Sequence, residues 1–223
     1  MKLDIHPEYA ELLKELHLDT PQALLEFTND HCVSRHTRGA TYMITLDDGR
    51  RLFLKQDFYT KPAAIFRYLL HFHLPMTNTE RETALLNNAR KHGFRTPEIL
   101  ACVRHNPWLL PRRGAMLELE VKGIPMDRLP EDITLTREQK LDALRKAHQT
   151  LDRIQETPLD WRIDCKPEHF FLCPDGEIAI IDGERLYPAR KPLTKEYRAK
   201  QHQRFDSLLP EEYRTWSGAE KRC

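Results

Sequence analysis

Two short apolar runs in the last third of the chain, each tied to an acid, constrain its fold more than any other feature. FFLC (170–173) and EIAIID (177–182) flank the turn PDG, a pattern that predicts a small hairpin. Asp164 lies just before the first run and Asp182 closes the second. A hairpin this short buries too little apolar surface to stand alone, so the rest of the chain has to supply a layer for it to pack on.

That layer is legible. Thr136 and Gln139 have capping-box spacing and open a helix running to about Glu156. Its apolar stripe is Leu141, Leu144, Ala147, Leu151 and Ile154, at steps of three and four, and Pro158 ends it. Earlier segments read differently. Residues 1–30 suggest two short helices, the second capped by Thr20 with Pro21 at its first position. ATYMITL, the turn DDG (47–49) and RLFLK form a hairpin, and TPEILACV and GAMLELEV read as two more strands around the turn-rich RHNPWLLPRR. Between them residues 62–93 read as a helix stopped by Gly93. Gly123, Pro125 and Pro130 mark a junction. The expected class is α+β: an antiparallel amino-terminal sheet with one helix, then a mainly helical lobe with a small hairpin. Residues 1–223 form one domain, with a helical extension (1–30), an N-lobe (31–122) and a C-lobe (123–223) ending in a basic helical tail.

Composition narrows the function. With 40% hydrophobic and 31% charged residues the 223-residue chain is an ordinary globular one. A formal charge of +1 gives no general field for nucleic acid, and no nucleic-acid partner is expected. The five cysteines, Cys32, Cys102, Cys165, Cys173 and Cys223, include no CxxC pair, which speaks against zinc and disulfides and for reduced thiols in the cytoplasm. The amino terminus lacks the apolar core of a signal peptide. AIFRYLLHFHL (64–74) is too short to span a bilayer.

The spacing around the hairpin carries chemistry. Phosphoryl transfer asks a protein for positive charge near the phosphates, oxygens for a metal, and a carboxylate that orients the attacking hydroxyl. In the kinase layout a strand lysine is held by a helix glutamate, a catalytic Asp precedes a metal-binding residue by five, and a second metal-binding Asp closes the next hairpin. Here Lys55 ends RLFLK and Glu82 sits on the following helix. Lys166 follows Asp164 by two residues and His169 by five; Asp182 comes thirteen after His169, just before Gly183.

DCKPEHFFL…IAIIDGERL, together with RETALLNNARKHGFRTPEIL and RLFLK, resembles the lipopolysaccharide core kinases: the Kdo and heptose (WaaP-type) kinases and their InaA-type relatives, which have a two-lobed protein-kinase-like fold. The resemblance covers residues from about 33 to 190. It implies an ATP- and Mg2+-dependent transfer of phosphate to a Kdo or heptose hydroxyl of the inner core, or another lipid-anchored saccharide, at the cytoplasmic face of the inner membrane. Lys55 would contact the ATP phosphates with Glu82 as its partner, and Gly39 would lie in the phosphate-covering loop. Glu120 and Val121 would lie near the adenine. Asp164 would be the catalytic carboxylate and Lys166 would steady the transferring phosphate. His169 and Asp182 would hold magnesium. The chain departs from the pattern in two places: Arg162 stands where a histidine usually precedes the catalytic Asp, and RHTRGATY has Gly39 as its one glycine.

Blander readings stand beside these. Lys55 at a strand end, Asp164 in a turn and His169 packed beneath FFL are each common structural residues. Glu82 follows Thr79 by three and so also fits a capping box. FYTKPAAIFRYLLHFH and RLYPARKPLTKEYRAK are basic and aromatic, suited to a solvated face or to peripheral contact with anionic lipid. A kinase-fold regulator with little or no activity and a phosphotransferase for a soluble small molecule are the alternative functions.

Overall fold

The computed structural model describes residues 1–60, 65–66, 76–104, 113–183, 186–189 and 191–216. The expected helix over the remainder of 61–75, the turn-rich 105–112 and the end of the tail lie outside the described residues, as do parts of both basic segments. The chain divides into two compact units, Met1–Ala84 with Pro97–Glu120, and Leu85–Thr96 with Val121–Cys223.

The first unit is a six-stranded antiparallel sheet in the order β1-β5-β6-β4-β3-β2. Its strands are β1 (Lys2–Ile5), β2 (Cys32–His36), β3 (Gly39–Thr45), β4 (Arg51–Asp57), β5 (Ile99–Arg104) and β6 (Gly114–Leu119). The β3–β4 hairpin turns at Asp47–Gly49, as the DDG signal predicts. Alternation sorts the faces: Leu52 and Leu54 of β4 and Leu117 of β6 are fully buried, and they pack with α1 (Ala10–Glu15) and α2 (Pro21–Glu26) through Leu13, Leu24 and Leu25. Thr20 accepts from Ala23 N at 3.1 Å to cap α2, with Pro21 in its first turn.

Residues 1–30 hold more than two helices. Lys2–Ile5 adds an edge strand, Leu3 opposite Val103. Four residues with no turn signal beside them pair with a strand nearly a hundred residues away, so tertiary pairing decides their state.

Helix α3 (Asn78–Lys91) starts in the first unit and ends in the second. Its stop is the Gly93 turn (φ 80°), where Gly93 N bonds Arg90 O and Phe94 N bonds Ala89 O, the Schellman pattern that favours glycine. In the second unit α4 (Arg137–Gln155) has the expected reciprocal cap between Thr136 and Gln139. Its buried stripe Ala143, Leu144, Ala147, Leu151 and Ile154 forms the core with Trp161, Phe170, Ile180 and Phe205. The expected hairpin is β9 (Phe170–Leu172) against β10 (Ile178–Ile180), extended by β7 (Ile124–Pro125). A second pair joins β8 (Leu159–Asp160) to β11 (Tyr187–Pro188). The basic tail holds α5 (Lys195–Asp206), capped by Thr194. Among the described residues no helix is long and apolar enough to cross a membrane.

Candidate active site

In the first unit the register of β4 and β6 builds the candidate site around Lys55. Phe53 lies opposite Glu118 and Lys55 opposite Met116, so Lys55 and Glu118 are diagonal neighbours on one face of the sheet. Lys55 Nζ is 3.0 Å from Glu118 Oε1 and donates at 2.7 Å to Glu82 Oε1. Glu82 is released for this pairing because the capping box sits elsewhere: Glu80 N donates to Thr77 Oγ1 at 3.2 Å and Thr77 N to Glu80 Oε2 at 2.9 Å. Both carboxylates are buried, at 5% and 6% exposure. Burial pushes the Glu118 carboxyl above its ordinary range; the Glu82 charge adds to the rise and Lys55 opposes it. Its Oε2 is buried without a hydrogen-bond partner.

Glu118 was not expected as a site residue. The signal lay in GAMLELEV, where Glu118 shares a strand face with Met116, but its tie to Lys55 depends on the pairing of two strands some sixty residues apart. The other expected nucleotide residues are placed as follows. Glu120 pairs with Arg51, whose Nε donates to Oε2 at 2.8 Å, and its N–H bonds Arg51 O. Val121 opens the longer segment of the second unit. Gly39 follows a two-residue turn and opens β3; a Cβ there would lie 2.3 Å from Gln56 O, so the close approach of β4 requires glycine.

In the second unit the turns before and after the hairpin hold the remaining residues. Asp164 ends a 3-10 turn whose first residue, Arg162, has φ 56°. That uncommon conformation for a residue with a side chain is held from three sides. Arg162 N donates to Asp160 Oδ1 at 2.6 Å, Arg162 O accepts from Gln201 Nε2 at 2.7 Å, and the guanidinium lies 3.5 Å over the Tyr187 ring. Arg162 thus occupies the usual histidine position with its own supports. Cys165 next door is fully buried and its thiol is pushed well up, first by burial and then by the Asp164 charge, which makes it inert. Lys166 donates to Glu168 at 3.1 Å.

His169 is 3% exposed. Its Nδ1 lies 3.0 Å from Nε1 of the fully buried Trp161, with the rings stacked. Its Nε2 is 3.6 Å from Asp182 Oδ2 and 3.8 Å from Glu168 Oε1. Ile181 N bonds His169 O, so the backbone sets Asp182 beside the histidine. Asp182 has φ 60°, a left-handed conformation that Asp adopts more readily than most residues and that clusters at functional sites.

Asp182 offers the oxygen that magnesium takes; the imidazole of His169 does not suit that hard cation. Among the described residues only His6, Glu8 and Glu98 bring three ligand atoms within 4.8 Å of one another. Asp164, His169 and Asp182 are not such a triplet, and of the expected pair Asp182 has the donor chemistry that magnesium prefers.

A cleft of about 520 Å3 opens beside Arg162, lined also by Asp160, Lys191, Leu193, Thr194 and Tyr197. It offers two cations, hydroxyl groups and an apolar wall two residues from Asp164.

A six-stranded antiparallel sheet packed by short helices, followed by a mainly helical unit with a small hairpin, is a protein-kinase-like fold. A solved structure titled "WaaP in complex with acyl carrier protein" matches it with a TM-score of 0.66 at 14% identity, over 92% of this chain and 80% of that one. In all, 1479 chains of solved structures match, so the fold alone does not name a substrate. The sequence matches no protein-family model and no curated protein.

Proposed function

We propose that the chain is a single kinase-like domain that transfers the γ-phosphoryl group of MgATP to a hydroxyl of a saccharide, with a Kdo or heptose unit of the lipopolysaccharide inner core as acceptor. The observation that carries this reading is the Lys55–Glu82 ion pair, 2.7 Å long, in a chain whose fold is similar to WaaP's. A lysine locked to a helix carboxylate presents a fixed charge to phosphate oxygens. The sequence resemblance supplies the acceptor class.

The residues divide the work as follows. Lys55 neutralises phosphate charge, with Glu82 fixing its ammonium. Asp164 accepts a hydrogen bond from the acceptor hydroxyl and takes its proton as the bond to phosphorus forms. Lys166 steadies the transferring group. Asp182 faces the divalent ion that the nucleotide brings as part of the substrate. The acceptor sugar occupies the cleft beside Arg162, where Lys191 and Arg162 receive its anionic substituents. The enzyme works at the cytoplasmic membrane face, where the basic segments meet anionic lipid.

The test is transfer of labelled phosphate from ATP to dephosphorylated core oligosaccharide, with product mass locating the phosphate. Wild-type protein should phosphorylate the acceptor and Asp164→Ala should fold normally and transfer none. Equal turnover by that variant would refute the role of Asp164.

A second reading is favoured by Glu118: with two carboxylates on Lys55, the site's charge is already compensated, as in a kinase-fold regulator that binds nucleotide weakly. Calorimetric titration separates the two, since silence at millimolar MgATP supports the regulator.

A further inference from the structure

The environment of His169 contradicts the metal-ligand role that its position implies. An indole N–H is a donor only. With Trp161 Nε1 at 3.0 Å, His169 Nδ1 has to accept, and it carries no proton. A neutral imidazole then bears its proton on Nε2. A doubly protonated ring is excluded by the same contact, because two N–H groups would face each other. A ring that ligates a cation through Nε2 needs its lone pair there and its proton on Nδ1, and ligating histidines regularly donate that second N–H to an acceptor. Here the second nitrogen faces a donor, the reverse arrangement.

Burial makes the choice firm. Trp161 is 0% and His169 3% exposed, so no water replaces the indole's partner if the ring changes tautomer, and a buried N–H would be stranded. The protonated Nε2 lies near two carboxylates, with Asp182 Oδ2 the closer at 3.6 Å and Glu168 Oε1 at 3.8 Å. Asp182 is the one that needs guidance, since its backbone sits at φ 60° at the end of the β10 segment.

We propose that Trp161 and His169 form a positioning pair: the indole fixes the imidazole proton on Nε2, and that N–H aims the Asp182 carboxylate, so His169 directs a metal-facing acid and does not itself bind the cation. The proposal rests on the reading of Asp182 as the acid that faces the nucleotide's divalent ion.

Two measurements on the full chain test it. In 15N-histidine-labelled protein, long-range ring correlations by NMR should place the His169 proton on Nε2, with and without MgADP. A proton on Nδ1 in either state overturns the proposal. Trp161→Phe keeps an aromatic ring and removes the N–H; it should allow the Nδ1–H form to appear, and an unchanged pure Nε2–H signal would show that Trp161 does not set the tautomer. In the second measurement, pulsed electron–nuclear spectroscopy of bound Mn2+·ATP should show no nitrogen coupling that changes between 14N- and 15N-histidine protein. A directly bonded histidine nitrogen in the wild type overturns the proposal. If Mn2+·ATP does not bind at all, the kinase reading fails, while the NMR result still decides whether Trp161 fixes the His169 proton.

Discussion

Lys55 and Lys166 have the same charge and were both expected to serve phosphate, but they are housed differently. Lys55 sits on the sheet between two carboxylates that are 6% and 8% exposed at the side chain. Lys166 lies in the turn before the hairpin, with one partner, Glu168, that is 52% exposed. Lys55 is therefore part of the unit's internal charge balance. Lys166 is itself 29% exposed, close to the 24% of Lys55, but its half-exposed partner leaves that pairing screened by water. A lysine of the first kind is needed for stability as well as for any chemistry; one of the second kind is needed for chemistry alone.

The largest effect should follow Lys55→Met. It strands Glu82 and Glu118 without their cation, and breaking a buried pair this way costs about 3 kcal/mol at neutral pH. Phosphate transfer should be lost with it. The stability loss has a defined pH dependence. The Glu118 carboxyl is already raised in the folded state by burial, and losing Lys55 removes the cation that lowers it. Below the ordinary carboxylate range Glu118 is protonated folded or unfolded and contributes nothing. As pH rises from the ordinary carboxylate range toward the raised folded value, Glu118 is ionised in the unfolded chain but still protonated in the folded one, and the folded state loses ground until that value is passed. Urea denaturation of the variant should approach wild type as pH falls toward 4 and diverge above it. A constant gap across that range would show that Glu118 ionises freely and that the two lysines differ less than their burial suggests.

Glu118→Gln asks whether the second carboxylate restrains Lys55. The amide removes one buried charge and leaves Glu82 in place. Stability at neutral pH should rise by about 1 kcal/mol, and MgATP should bind three- to tenfold tighter, about 1 kcal/mol, because one negative charge beside Lys55 is gone. Weaker binding by calorimetry would mean that Glu118 itself contacts the nucleotide.

The same contrast explains what could be read in advance. The hairpin at 47–49, the capping box at Thr136 and the stripe of α4 depend on residues within one or two turns of each other, where spacing is informative. The hairpin between Asp164 and Asp182 was legible for the same reason. Glu118 was not, because its meeting with Lys55 is a property of strand register, and neither strand states its partner. Nothing in the spacing singles out Trp161; only the packed core shows that its buried N–H ends on His169. The strand at Lys2–Ile5 is the same lesson at the level of fold, since it exists only by pairing with β5. Glu82 shows a finer case: Thr79 and Thr77 both precede acids at capping distance, and the chain uses Thr77 with Glu80, which leaves Glu82 for Lys55.

The smallest change in stability should come from Lys166→Ala. Its Nζ–Glu168 contact is 3.1 Å, but the glutamate is more than half exposed, so unfolding should shift by no more than about 0.5 kcal/mol. If Lys166 stabilises charge on the transferring phosphoryl group, turnover should still fall by about 100- to 1000-fold while the nucleotide affinity holds. Glu168→Gln sharpens the point. It frees Lys166 from its partner without removing the cation, so stability should again hold and turnover should not fall with it. A Lys166→Ala protein that loses 2 kcal/mol or more would place this lysine with Lys55 among the structural cations, and the distinction drawn from burial would fail. Equal turnover in Lys166→Ala and wild type would leave the lysine as a solvated surface charge, and the transferring phosphate would then depend on Lys55 for its neutralisation.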